Sequence, residues 1–527
     1  MNISTMQEAI NSILLAFVCY NLLMRSDMRK KLPSALFYIL FITFTALFIY
    51  FRIGSVLYKT VGYTYDQGRD FLKVSEIILQ KNITFIGPTT GIEGLFHGAW
   101  YYYILTIPFI IFNGLPIGFY YFNLCIYLLM LLGIFYFCYR HFHLTIAIVT
   151  TMIMITSPYF VFLSIFVGNN ILAPPALLLF IYFNYLLINK DKKLNYSKWL
   201  FISIGLSLGM VMEFELSFGL LLIPSYFLMS LILPKLRNNL FKLKEGASFL
   251  LGLGLALIPR LLFELKNNFQ QTKVLLGFFL KPKLHNPKAY FNVISERFQL
   301  FVDYYKSLFP NQIILWLTSI IIIFSLLYLI KRKVWKKSFQ FIFFSSGLIF
   351  FLFFLSTFYK DNFWNNYYEG IQFLFISIII LLLSLLYKEN HKLGIILNGA
   401  IICSFAIYIF FNIKPIIKPP DSGLVLREKI VETIYNEEKA HEKFCVKIYT
   451  PPVIPYTYDY LFQYYSRKNN RLIPEKDWIE KRCWLIVEKD DYQFRADKWI
   501  NDNLPKENKL LKKTTYLDIV LYYYEKK

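Results

Sequence analysis

The chain has 527 residues, of which 56% are hydrophobic and 19% aromatic but only 17% charged. Soluble globular chains carry about 25% charged residues, so the composition excludes an ordinary soluble enzyme. The net charge of +22 would suggest nucleic acid in a soluble protein, but its distribution points to a membrane. From Lys414 onward there are 22 basic and 18 acidic residues, leaving +18 on the preceding part.

There the basic residues sit in short clusters between apolar runs: Arg25, Arg29, Lys30 and Lys31; Lys190, Lys192 and Lys193; Lys235, Arg237, Lys242 and Lys244; and Lys331, Arg332, Lys333, Lys336 and Lys337. That is the positive-inside pattern of cytoplasmic loops and not a nucleic-acid surface. Apolar runs long enough to cross a bilayer lie near 8–24, 34–52, 119–138, 144–165, 172–188, 198–215, 217–234, 247–262, 313–330, 340–358, 371–387 and 393–411. We expect about 12 transmembrane helices, the first retained because no small-residue cleavage site follows it. With every basic cluster inside, both termini and the loops 53–118, 166–171, 263–312 and 359–370 face out. Residues 104–112 are apolar but short, which predicts a helix in or dipping into the outer interface.

The first outer loop, 53–118, is far longer than a connector needs to be, and long ordered loops usually carry function. It opens Gly62-Tyr-Thr-Tyr-Asp66-Gln-Gly-Arg69-Asp70-Phe71, continues with helical apolar spacing to Gln80, turns through Gly87-Pro88-Thr-Thr-Gly91, and reaches Gly94-Leu-Phe-His97-Gly-Ala-Trp100-Tyr-Tyr-Tyr103. The spacing predicts interfacial helices. They bring Asp66, Arg69, Asp70 and His97 to one membrane surface.

After Pro419 and Pro420 the composition changes. Strand-like runs at 445–449, 484–487 and 517–524 alternate with polar helical segments at 427–438 and 491–503, which predicts a small extracytoplasmic α/β domain. We divide the chain into a membrane domain, 1–411, and this domain, 412–527. Its balanced charge suggests that it folds without the membrane. Cys445 and Cys483 are read equally well as a disulfide closing a loop of about 38 residues or as two buried thiols. No Walker loop, HExxH or GxSxG motif is present, so an ATP-driven pump and a serine hydrolase are unsupported.

An acidic residue directly after the first core span, an interfacial helix and a Gly/Pro turn leading to an aromatic membrane-hugging segment resemble the GT-C glycosyltransferases, particularly relatives of protein O-mannosyltransferase and of the lipid A aminoarabinose transferase. The resemblance extends over the membrane part through its topology, with its specific residues concentrated between Tyr63 and Tyr103. It implies a polyprenyl-phosphate sugar donor, inverting transfer on the outer face of the cell membrane, and a reaction centre at Asp66. A second acidic residue often occupies the next short outer loop in that family. Here the stretch is Gly168-Asn169-Asn170, which puts a metal-bridging role for that loop in doubt.

The residues fit the same chemistry. Sugar transfer to a hydroxyl requires a base for the acceptor proton and cations for the departing phosphate. Asp66 is the candidate general base, although Asp is also a favoured helix cap. Arg69, Asp70, His97, Glu213, Glu215, Arg260 and Lys273 are candidate substrate-binding residues. The basic residues among them are explained equally by snorkelling to lipid headgroups, and carboxylates at a span edge are costly and frequently functional. No cysteine spacing is that of a metal site. Metal use is left open, with no cofactor required and a divalent cation compatible. The acceptor is unspecified, and the partners are the lipid-linked donor and membrane lipid. Two rival readings are a transporter or flippase of a lipid-linked saccharide, against which no internal repeat is evident, and a sensor or assembly scaffold.

Overall fold

The computed structural model describes residues 34–189, 198–280, 286–334, 339–451, 453–478 and 481–526. The expected first span at 8–24, Cys19, the basic residues of 25–31 and 190–193, and Lys336 and Lys337 lie outside these residues. The protein is a multi-pass, mostly helical membrane protein with one small sheet near its C-terminus.

Helix α1 (Ser34–Leu57) leads into α2 (Tyr65–Leu79) and the short apolar α3 (Trp100–Ile111), followed by α4 (Pro116–His141), α5 (Leu144–Thr156) and α6 (Pro158–Ser164). Next come α7 (Ala173–Asn189), α8 (Lys198–Phe214), α9 (Leu216–Ile232), α10 (Pro234–Leu240), α11 (Leu243–Ala256), α12 (Ile258–Lys266), α13 (Gln270–Leu280) and α14 (Tyr290–Lys306). Four long helices close the membrane part: α15 (Gln312–Lys331), α16 (Phe339–Ser356), α17 (Gln372–Glu389) and α18 (His391–Asn412). Among the described residues, seven helices are long and apolar enough to cross a membrane, or up to ten if each bent pair is one span.

Three of the expected spans are broken. The run at 144–165 bends by 64° between α5 and α6, and the run at 247–262 by 68° between α11 and α12. The run at 217–234 ends at a bend of 104° into α10. Proline explains the breaks: Pro158, Pro234 and Pro259 stand in the first turn of the second helix of each pair, where a missing N–H costs nothing but prevents continuation of the preceding helix. Helices α8 and α11 cross at close range. A side chain at Gly205 or Gly252 would meet the backbone of Phe249 or Ile202 respectively, the small-residue contact by which membrane helices associate.

The C-terminal part contains α19 (Gly423–Glu437), β1 (Cys445–Tyr449), α20 (Tyr456–Asn469), β2 (Arg482–Glu488), α21 (Gln493–Asn503), β3 (Asn508–Tyr516) and β4 (Ile519–Lys526). The sheet order is β1-β2-β4-β3, with β1 and β2 parallel and the other pairs antiparallel. Strand alternation divides the residues between two faces. Val446, Trp484 and Ile486 join the core that contains α19 and α20, while Tyr449, Cys483 and Leu485 pack with Ala496 of α21. Register places Cys445 opposite Cys483, and the two are disulfide-bonded, which decides between the two readings of the sequence.

This part is not packed as a separate body. Tyr458, Tyr460 and Phe462 of α20 share one hydrophobic core with Phe71 of α2 and Phe119 of α4. The Phe71 and Phe119 rings stack at 3.8 Å, and Tyr460 meets Phe71 at 5.3 Å. The Tyr63 hydroxyl donates to the Thr457 carbonyl at 3.1 Å, the Tyr460 hydroxyl donates to the Gly114 carbonyl at 2.6 Å, and Lys59 pairs with Glu428 at 2.7 Å. Gly68 lets the backbones close: any Cβ there would collide with the main chain of Tyr456 and Thr457. Balanced surface charge carries no information about which apolar face a helix lends to a neighbour, and here α20 lends one to α2 and α4.

Candidate functional site

Helix α2 begins with a capping box. Thr64 is the cap, and its backbone N–H donates to Gln67 Oε1 at 2.8 Å. The alternative reading of Asp66 as the cap thus does not hold, and its carboxylate, 45% exposed, pairs with Arg69 Nη1 at 2.9 Å. Arg69 Nε also donates to Asp70 Oδ1 at 2.9 Å. One guanidinium thus holds an outward and an inward carboxylate on successive faces of the same turn.

Asp70 is 1% exposed and accepts a further bond from the Tyr102 hydroxyl at 3.3 Å. Burial pushes its carboxyl up to about 6, against the opposing pull of Arg69. The same pairing holds Arg69 above its ordinary range despite its burial.

The loop from 84 to 98 folds back on itself and is tied down. The Gly87 N–H donates to the His97 carbonyl at 2.9 Å, and the His97 N–H to the Pro88 carbonyl at 2.8 Å. The Gly98 N–H donates to the Glu213 carbonyl at 2.6 Å, and a Cβ on Gly98 would strike the Glu213 side chain. His97 Nδ1 accepts from the Leu216 N–H at 3.4 Å, at the start of α9. Burial first, then the charges of Arg260 and Arg69, push its imidazole down to about 3. At neutral pH His97 is uncharged and contributes no cation toward a phosphate.

Glu213 and Arg260 form an ion pair at 2.7 Å. Arg260 also donates from Nη1 to the Phe96 carbonyl at 3.1 Å and to Gln271 Oε1 at 2.9 Å. Gln271 in turn accepts from the Phe96 N–H at 3.1 Å. Together these bonds clamp the first loop to α12 and α13. Glu264 caps α13 through the Gln271 and Thr272 N–H groups, each at 3.0 Å, and Lys273 on that helix is exposed.

Glu215 is buried in the extended break between α8 and α9. Its electrostatic neighbour is Glu369. Glu369 is buried too and accepts from Asn170 Nδ2 at 2.9 Å. Burial pushes its carboxyl up to about 7. Loop 166–170, which lacks a carboxylate of its own, therefore borrows one from a position 199 residues away. The same loop touches the other group: Gln67 Nε2 donates to the Val167 carbonyl at 2.5 Å, and Asn169 Nδ2 to the Phe214 carbonyl at 2.8 Å.

The fold thus joins Asp66, Arg69 and Asp70 in one set of ion pairs, ties Glu213 and Arg260 to the loop that carries His97, and sets Glu215 beside Glu369. Among the described residues, no three His, Cys, Asp or Glu side chains are grouped as metal ligands.

No protein-family model matches the sequence, and no curated protein matches it either. Two solved structures of ArnT from Cupriavidus metallidurans, the lipid A aminoarabinose transferase, share its architecture. The one bound to undecaprenyl phosphate aligns with a TM-score of 0.56 at 11% identity, over 93% of this chain and 98% of that one. The apo form gives 0.55 at 10% identity, over the same shares. An oligosaccharyltransferase from Archaeoglobus fulgidus aligns at 0.47, with 13% identity over 85% of this chain and 67% of that one. The alignment runs over nearly the whole length of ArnT, and this chain shares the fold of that protein.

Proposed function

We propose that the protein is a glycosyltransferase that moves a sugar from a polyprenyl-phosphate donor to an acceptor hydroxyl, with inversion, on the outer face of the cell membrane. The observation that carries this reading is the Asp66–Arg69–Asp70 arrangement: a carboxylate exposed at the start of an interfacial helix and held in direction by a guanidinium that is itself anchored on a buried carboxylate. It stands in a fold shared with a protein crystallised with undecaprenyl phosphate.

In the reaction, the acceptor oxygen attacks the anomeric carbon while the bond from that carbon to the phosphate oxygen breaks. The electron pair of that bond leaves with the phosphate. Asp66 orients the hydroxyl and takes its proton as the new bond forms. Arg69 holds the Asp66 carboxylate in direction through their ion pair, and the exposed ammonium of Lys273 is assigned to the phosphate charge. Glu213 and Arg260 act through position, by fixing the loop that carries His97. On this reading the C-terminal sheet faces the same side as Asp66, which the packing of α20 on the helix that carries Asp66 supports.

The test is turnover of a radiolabelled lipid-phosphate sugar by the purified protein. The expected result is glycosidic product from the wild type and almost none from Asp66→Asn. Translocation of the donor without any product would overturn the reading in favour of transport.

A further inference from the structure

The β1–β2 pair is the parallel half of the C-terminal sheet, and both strands end at the same edge, at Tyr449 and Glu488. Carboxyl edges of parallel strands open crevices because the connections diverge there. A cleft of about 420 Å³ opens at this edge, within the range of small-ligand sites.

Its floor is built and its rim is exposed. Tyr449 and Asp490 are buried, and the Tyr449 hydroxyl donates to Asp490 Oδ2 at 2.5 Å. Asp490 Oδ1 accepts the Tyr492 N–H at 2.8 Å. These bonds hold the Asp490 carboxylate below its usual range. Around it stand Lys489, Asp491, Tyr492 and Arg495, all exposed. The Arg495 guanidinium lies 4.3 Å from the centre of the Tyr492 ring, which fixes that exposed ring at the rim.

Two carboxylates and two cations line the cleft, so a strongly charged ligand of either sign would meet an opposing pair. A neutral ligand with many hydroxyls meets none. Its hydroxyls donate to the carboxylates and accept from the ammonium and guanidinium, while an aromatic ring offers a flat apolar face to the C–H side of a pyranose. A chain of contacts runs from this edge of the sheet to α2. Glu488, the last residue of β2, accepts from the Tyr458 hydroxyl at 2.8 Å. Its neighbour Thr457 is the residue whose carbonyl receives Tyr63, just ahead of α2.

We propose that this cleft is a subsite for a neutral saccharide and that it holds the hydroxyl-rich part of the acceptor; the second clause rests on the transferase reading above. The experiment uses the full chain in detergent micelles, with maltotriose, cellotriose and chitotriose as probes read by saturation-transfer NMR. At least one probe gains signal from the wild type. Tyr492→Ala weakens its binding by about 2- to 10-fold, the worth of one aromatic contact, and Asp491→Asn weakens it as well. Asp66→Asn, outside the cleft, binds the probe like the wild type. No signal from any of the three, signal unchanged in both cleft variants, or displacement of the probe by inorganic phosphate would each overturn the saccharide site. Probe binding that depends on Tyr492, in a protein that transfers no sugar, would support the site and overturn the acceptor role.

Discussion

Asn170 donates a hydrogen bond to Glu369 at 2.9 Å across 199 residues of sequence, joining the short loop 166–170 to the turn before α17. Glu369 is buried beside Glu215, so this amide is part of what makes its carboxylate tolerable there. Asn170→Ala removes the donor and leaves a buried carboxylate short of a partner, at a cost of about 1–3 kcal/mol. Glu369→Gln removes the charge and keeps a side chain that bonds to Asn170. Thermal unfolding in detergent should show Asn170→Ala clearly less stable than Glu369→Gln; the reverse order would mean that the bond does not matter.

Asp66 and Asp70 share Arg69 but differ in access, and their asparagine variants should separate base from anchor. Asp66→Asn should cost about 100- to 10,000-fold in turnover, the usual worth of a general base, with folding intact. Asp70→Asn should cost less, through a looser Arg69. Equal losses would move Asp70 into the reaction centre.

Asp70 also predicts a pH dependence of stability. Its carboxyl sits near 6 in the folded chain and near 4 when exposed, so between those values the folded chain holds a proton that the unfolded chain has released. Stability therefore falls as pH rises through that window, by up to about 2–3 kcal/mol from this one group. Melting curves of the wild type and Asp70→Asn between pH 4 and 6 should diverge in that sense. Parallel curves would show that Asp70 does not titrate there.

A fragment comprising 421–527 should fold poorly alone, because α20 buries Tyr458 and Tyr460 in a core that includes Phe71 and Phe119. Such a fragment should aggregate or unfold without a cooperative transition. A sharp transition in solution would show that the strands and α19 suffice.

The outer assignment of the first loop and of the C-terminal part is open to labelling. Cysteines placed at Gly91 and Asn469 should react with an impermeant thiol reagent from outside the cell, and one at Lys333 should not. Reaction at Lys333 from outside would invert the topology.

What the sequence determined by itself was whatever depends on nearest neighbours along the chain. Each apolar run is long enough to bury its own backbone hydrogen bonds in lipid, so helices such as α4, α15 and α17 fall where hydropathy put them. Short strand-like runs marked β1 and β2, and the helical spacing of apolar residues after Gly62 marked α2. Tertiary structure decided what pairs with what. The parallel register of β1 and β2 joins Cys445 to Cys483. Packing of α20 on α2 merges two parts that composition had separated. The carboxylate at loop 166–170 comes from Glu369, which no spacing rule connects to Asn170. Hydropathy is summed residue by residue and leaves a local trace, whereas a buried pair depends on the order in which helices stack, and that order is set by the packing of the whole bundle.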